Sequence, residues 1–461
     1  MKTPPPIHDA IPFIVTTPDS GSNKEIRKFI RSHVMRGKNR KKKSLKASLL
    51  TNNHEANTPR DEPETAVSIP PKAGGEVSFS LIPDEVGPDM LDAVRTLQIG
   101  MVTVQTDQFA DQVETWWLQA MFRDLVCVHF AIFVGKAYQN IVRGAGYNEP
   151  AALQYYVKTL SLLQRRVAGG DAEMVTSDET IMVVTGLAKS AIFRGNVEVA
   201  AKHLEGLKKM VGLRGGLSSF NRRLLTKVCH ADIGLSLSTG RKPIFFSGDS
   251  SCNSFISPRR AGMSDPGRST RHTPAAPSGM QAFLDTLDVR LRHVFDDLYE
   301  LSRAANLATQ CSLVMNGAMY EELTISAHYQ LINLETEPRS VDETVRLALL
   351  AFGSTLLLQW KGANDHYADL TRKLEGALLA APAKVHDGMP AVLTLWLYVM
   401  GYLVFDERER VRLRPALLDL LLGMGLTSWD ETRASVKSVL WVNLLHDCPA
   451  EELLQPVFAV I

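Results

Sequence analysis

An all-α fold is predicted by three observations. From Asp89 onward the apolar residues recur at helical spacing. Strand-type alternation is scarce. Three hydroxyl residues each stand three places before a carboxylate at the head of a mainly apolar run, the pattern of a capping box.

The elements follow in order. Residues 1–75 are rich in Pro, Ser, Thr, Asn and charge and hold no long apolar period, so they are predicted to be disordered, with order beginning at about 76. Within that arm Ile26, Phe29, Ile30 and Val34 fall at helical spacing, which predicts a short amphipathic basic helix over 23–36. Leu153, Tyr156, Val157, Leu160, Leu163 and Val167 then keep one apolar stripe for four turns, the mark of a helix with a buried face. Thr176 with Glu179, Ser340 with Glu343, and Ser428 with Glu431 predict helices over about 177–193, 341–360 and 429–445. A cap stabilises its helix by about 1 kcal/mol, so these positions set where helices start more than whether the fold exists.

Between the first two of those helices, Asn196 is placed to cap a helix on which Val199, His203, Leu207 and Val211 share a face. Gly215-Gly216 supply the left-handed geometry that ends it. At 247–279 Ser, Pro and Gly dominate and no apolar face survives, so a flexible insertion is expected there. Ser257-Pro258 and Thr273-Pro274, close to Arg259, Arg260 and Arg268, are candidate phosphorylation sites within it. The longest apolar run, Ala391 to Phe405, is bounded by Pro390 and by Asp406-Glu407-Arg408. It is shorter than the roughly 20 residues a membrane span needs, which predicts a buried core helix and no membrane partner.

Charge is unevenly spread. The run Lys24 to Lys46 holds eleven Lys/Arg against the single acid Glu25, and removing it leaves 40 basic against 49 acidic residues, a net of −9. An anionic partner is therefore expected for this segment alone. Arg27, Lys28, Arg31 and Arg36 lie on the predicted basic helix, and Lys38, Arg40, Lys41, Lys42 and Lys43 follow it as the type of cluster read by a nuclear import receptor or by phosphates. Nuclear import, weak non-specific nucleic-acid contact, and a membrane-surface or purely solvated role are the readings of these residues. Met1–Pro6 is Pro-rich and polar with no apolar run behind it, so no secretion signal is expected.

No catalytic, cofactor or metal motif is legible. The chain lacks a GxxxxGK[ST] loop, a GxGxxG turn, HExxH and GxSxG. Cys127, Cys229, Cys252, Cys311 and Cys448 are scattered without CxxC pairs, as in a compartment that keeps thiols reduced, and form no zinc set. Cys127 and Cys311 sit in apolar helical runs and are expected in the core. Cys229-His230 are adjacent, so on a helix they point about 100° apart and make no dyad. His129 and His203 read as core histidines. The acid pairs Asp296-Asp297, Glu321-Glu322 and Glu451-Glu452 are expected to face solvent rather than converge on one point. Trp116, Trp117, Trp396, Tyr398, Tyr402 and Trp441 read as core packing, with a small-molecule cavity between helices as the alternative. No enzyme activity and no cofactor are expected.

The segment Asn196 to Leu217, with its pattern HLxGLxxMVxLRGGL, resembles the fungal-specific transcription factor domain family. Its signature positions here are His203, Leu207, Arg214, Gly215 and Gly216, all readable as structural. Ala231-Asp232 followed by Arg241-Lys242-Pro243, the stretch Ser428 to Val442, and Phe13 to Ser20 ahead of the basic run agree with that resemblance. It implies a multi-helix regulatory domain over 76–461, a nuclear location, other transcription regulators as partners, and a homodimer as one possible state. In many members such a domain follows a Zn₂Cys₆ cluster, which takes six thiolates in one short segment, and residues 1–75 contain no cysteine. Only the helical regulatory domain and the basic segment carry over. A cytoplasmic helical scaffold or small-molecule sensor is the alternative from another class.

Overall fold

In a computed structural model of the chain the described residues are 92–96, 124–143, 150–246, 279–313, 315, 317–357, 367–379 and 388–461. All belong to the second of the chain's two units, Gly75–Ile461. Every regular element among them is helical and none is a strand, so the all-α expectation holds. The basic arm, the short basic helix, Trp116, Trp117, Cys252 and positions 247–278 of the expected insertion lie outside the described residues.

The first layer is built by α1 (Leu125–Val142), α2 (Pro150–Ala168) and the one-turn α3 (Ala172–Val175), followed by the hairpin of α4 (Asp178–Phe193) and α5 (Val197–Leu213). A 3₁₀ turn at Leu217–Ser219 leads into α6 (Arg222–Thr239). The second part contains α7 (Met280–Leu284), α8 (Val289–Gln310), α9 (Gly317–Asn333), α10 (Val341–Leu356) and α11 (Ala368–Leu379). Four further helices complete it: α12 (Ala391–Val404), α13 (Glu407–Gly423), α14 (Trp429–Val436) and α15 (Asn443–Phe458). Helix α6 joins the two parts, packing against α4 and α5 on one side and α9 and α11 on the other.

One continuous apolar core runs from Ala93 to Val457. Within it helix α12 packs against α10, α11, α13, α14 and α15. Ten of its residues, Leu393 to Tyr402, are buried, as the uninterrupted apolar run predicts. The Trp396 indole Nε1 donates to Leu440 O at 2.6 Å, so the buried ring's polar atom is satisfied. Burying side chains of this size stabilises the fold by about 1.5–3 kcal/mol each, which makes this helix a large single contributor. Trp396, Tyr398, Tyr402 and Trp441 all lie in the core, in agreement with the packing reading. No described helix is long and apolar enough to cross a membrane.

Several local expectations need correction. The cap of α4 is Ser177, whose hydroxyl accepts from Thr180 N at 3.2 Å, whereas Thr176 donates back to Ala172 O and closes α3. Ser340 does cap α10, but Glu343 turns away to Arg346 and Thr336, so only half of that box forms. The box at Ser428 and Glu431 is complete, and a fourth, Asp406 with Glu409, opens α13.

Helix α10 stops at Leu356 because Leu357 is extended. The helix expected over 429–445 is two helices. Between them Leu440 O accepts from Trp396, Trp441 O accepts from Asn306 Nδ2 at 2.7 Å, and Asn443 N donates to Asn306 Oδ1 at 2.8 Å, so tertiary partners take the backbone groups a helix would use. On α2 the buried residues are Ala152, Thr159 and Leu163, while Val157 and Val167 of the expected stripe are exposed. Cys127 is buried as expected, but Cys311, at the C-cap of α8, is exposed.

Candidate functional site

Of the five signature residues, Arg214, Gly215 and Gly216 form the α5–α6 connection, and His203 and Leu207 lie within α5. Asn196 caps α5 through Val199 N at 3.2 Å, and the helix buries Ala200, Ala201, Leu204, Leu207 and Val211 against α4. Leu207 is fully buried, and His203 sits half-buried at the edge of that face. Burial pulls the His203 imidazole below its ordinary pKa, and the nearby Arg194 cation pulls it further. Its Nε2 is buried without a hydrogen-bond partner.

The helix ends as its glycines dictate. Gly216 N donates to Val211 O at 2.8 Å, closing the last turn. Gly215 has φ 99°, and Gly216 has φ 96° with ψ 178°, a region essentially restricted to glycine. Arg214, beside them, ties three elements together. Its guanidinium lies 2.5 Å from Asp178 Oδ1 at the start of α4, donates to Thr176 O at 3.1 Å, and stacks over Phe220 at 5.0 Å. Asn221 caps α6 through Leu224 N and donates to the other Asp178 oxygen at 2.8 Å. Arg214, with its partner Asp178 and with Asn221, therefore clamps α4, α5 and α6 relative to one another.

A second buried site follows on α6. Asp232, 1% exposed, accepts from Ile244 N at 2.8 Å, Phe245 N at 3.1 Å and the Tyr329 hydroxyl at 2.9 Å. Asn333 Nδ2 donates to Phe246 O at 2.7 Å, and the Phe246 ring meets Tyr329 edge-on at 4.8 Å. Burial pushes the Asp232 carboxyl above its ordinary pKa, while its three donors pull the other way. Burial likewise raises Tyr329 well above the usual phenol. Asp232 thus hooks the segment Arg241 to Phe246 onto α6 and α9, just before position 247. Lys242 of that segment pairs with Glu335 at 2.8 Å, and Arg241 with Glu198 at 3.5 Å.

Next to this hook lies a cleft of about 210 Å³ between α6, α9, α10 and α11. Its sides carry two ion pairs, Arg346 with Glu343 at 2.7 Å and Lys373 with Asp369 at 2.7 Å.

Sequence reasoning read the glycines and the helix of the signature correctly. It noted Asp232 and Arg241-Lys242-Pro243 side by side without joining them. The available signal was an acid inside the apolar run Ala231 to Leu237, since a carboxylate there must find donors. The cleft left no signal in the sequence, because its residues come from four separate segments.

None of this converges as catalytic machinery. Cys229 and His230 belong to the core of α6. Glu322 pairs with Arg222 at 3.7 Å and is largely shielded, so the solvent-facing expectation for that acid fails. Among the described residues no group of three or more His, Cys, Asp or Glu is placed to hold a metal ion. Arg27, Lys28, Arg31, Arg36, Lys38, Arg40, Lys41, Lys42 and Lys43 lie outside the described residues.

Compared with known proteins, residues 102–439 match the profile of a family described as "Fungal specific transcription factor domain". None of the curated proteins and none of the solved structures compared with the chain matches it.

Proposed function

The chain belongs to the fungal-specific transcription factor domain family, and on that premise we propose that it works in the nucleus as a transcription regulator through its helical domain. The family is one of transcription regulators and not of enzymes. The observation that carries the reading is the extent of the match, residues 102–439, which includes the α4–α5–α6 clamp and the Asp232 hook.

The basic segment supplies the rest of the proposal. Lys38, Arg40, Lys41, Lys42 and Lys43 give nuclear import through an import receptor, and together with Arg27, Lys28, Arg31 and Arg36 they give weak, sequence-tolerant DNA affinity through phosphates. Within these 461 residues no six-thiolate zinc cluster can be assembled, and other transcription regulators are the partners proposed for the helical domain. Replacing Lys38, Arg40, Lys41, Lys42 and Lys43 by Ala is expected to shift a tagged protein out of the nucleus. Unchanged nuclear accumulation would remove import from this segment. Recovery of the wild-type chain in a stable cytoplasmic complex would favour a scaffold instead.

A further inference from the structure

Helix α13 packs against α12 and α11, and its Leu413, Leu417 and Leu421 are fully buried. Its outer side is also apolar. Val411 is 54% and Leu422 58% exposed, Pro415 between them is exposed, and Leu418 is half-buried. At 100° per residue these four fall within about 60° of one another, so they form a single stripe along the helix. One flank of the stripe carries Arg412, 56% exposed, and Asp419, also exposed. Arg412 Nη2 lies 2.7 Å from Glu375 Oε1 and 3.9 Å from Glu409 Oε1, which leaves the donors on its other two nitrogens to spare. Among the described residues nothing pairs with the Asp419 carboxylate.

This face is its own complement in reverse. The stripe is spaced four, three and four residues apart, so turning a second copy of the helix end for end sets Val411 against Leu422 and Pro415 against Leu418. The same turn brings the cation of Arg412 opposite the anion of Asp419, offset by about 3 Å along the axis and within an arginine's reach. Arg408, the exposed cation one turn earlier, falls opposite Gly423, so no like charges meet. A face that matches itself in both shape and charge is what a two-fold contact between identical chains requires, because every residue pair then occurs twice. A parallel pair would need both flanks at once. On the other flank Leu421 is buried and Arg414 is held 3.5 Å from the Tyr402 hydroxyl.

We propose that the outer face of α13 is a homodimer contact, in which the helix pairs antiparallel with the same helix of a second copy of this chain. The inference goes beyond the transcription reading and does not depend on it, since self-association is a property of the purified chain. One helix face is small beside the roughly 1,200–2,000 Å² of a standard interface, so the dimer is expected to be weak and concentration-dependent.

The test is sedimentation velocity of the full chain from about 1 μM to about 500 μM, a range that brackets a weak dimer. Monomer at the low end and dimer at the high end are expected. Leu422→Lys, at an exposed position, should weaken the dimer at least about tenfold, since the change counts twice across the two-fold. Asp419→Arg and Arg412→Glu should each weaken it about threefold to tenfold, and an equal mixture of the two should associate as tightly as the wild-type chain, because the mixed dimer restores two opposite-charge pairs. Leu422→Lys alone decides the face if Arg412→Glu, which loses its Glu375 partner, does not fold. A chain that stays monomeric throughout the range would overturn the proposal. So would a dimer that Leu422→Lys leaves unchanged, or a mixture of folded variants that associates no more tightly than either one alone.

Discussion

At the scale of single residues the structure turns on a few buried polar groups whose partners are far away in sequence. Asp232 is the clearest case: Asp232→Ala would leave two backbone N–H groups and the Tyr329 hydroxyl without an acceptor, a cost of about 3 kcal/mol or more. Urea denaturation would measure it, and a loss under about 1 kcal/mol would mean that water replaces the carboxylate. Gly216→Ala tests the clamp. Nothing lies within 4 Å of the added Cβ, so the expected cost of about 1–3 kcal/mol comes from backbone strain alone.

Histidines give the pH dependence. His446 accepts from Val442 N at 3.0 Å through Nδ1 and meets Thr355 Oγ1 at 2.8 Å, and His328 donates through Nδ1 to Thr324 O at 2.7 Å. Burial lowers them to about 3 and about 4 respectively. A folded value below the unfolded value means that the unfolded chain binds protons first, so stability is full above about pH 6.5 and is lost as pH falls toward 4 and 3. His230 and His203, also lowered by burial, add to this slope, while Asp232 and Glu409, raised by burial, oppose it. His328→Gln should reduce the slope between about pH 6.5 and 4.5 relative to the wild-type chain, and an unchanged slope would contradict the burial of the His328 ring.

At the scale of elements, local rules located helices well and their ends less well. The glycine stop after α5, the Asn196 cap and the apolar run of α12 were legible because each depends on neighbouring residues only. The break after α14 was not, because it depends on Asn306, which is more than a hundred positions away from Trp441 and Asn443 and replaces helical hydrogen bonds with its own amide. Asn306→Ala is therefore expected to cost about 2 kcal/mol and to raise hydrogen exchange at Asn443. An unchanged exchange rate there would show that the break has another cause. The stripe on α2 misled for a related reason. Helical spacing identifies an apolar face, but which face is covered depends on the packing of α1, and Val157 and Val167 are left outside it. The cap of α4 shifted by one residue because Thr176 and Ser177 are both competent hydroxyls, and α3 uses the first. Of the candidate site, the signature was legible as a helix and its stop; the reach of Arg214 to Asp178 and the cleft were not, since both need the tertiary arrangement.

At the scale of the whole molecule, the proposed function divides the labour between the helical domain, proposed to meet partner regulators, and the basic segment, proposed for import and phosphate contact. An arm of this charge making roughly five phosphate contacts should show a slope of log affinity against log salt near −4.5, since each contact contributes about −0.9. Deletion of 1–50 should abolish that binding. Tight, salt-insensitive binding of one DNA sequence by the truncated chain would place recognition in the helices instead. The most direct test of the central claim is a transcript profile of cells lacking this chain, with the wild-type and the Lys38, Arg40, Lys41, Lys42 and Lys43 to Ala variant each returned. A transcription regulator that depends on its basic segment for nuclear access predicts a defined set of altered transcripts, restored by the wild-type chain and not by the variant; a profile with no responding transcripts would contradict it.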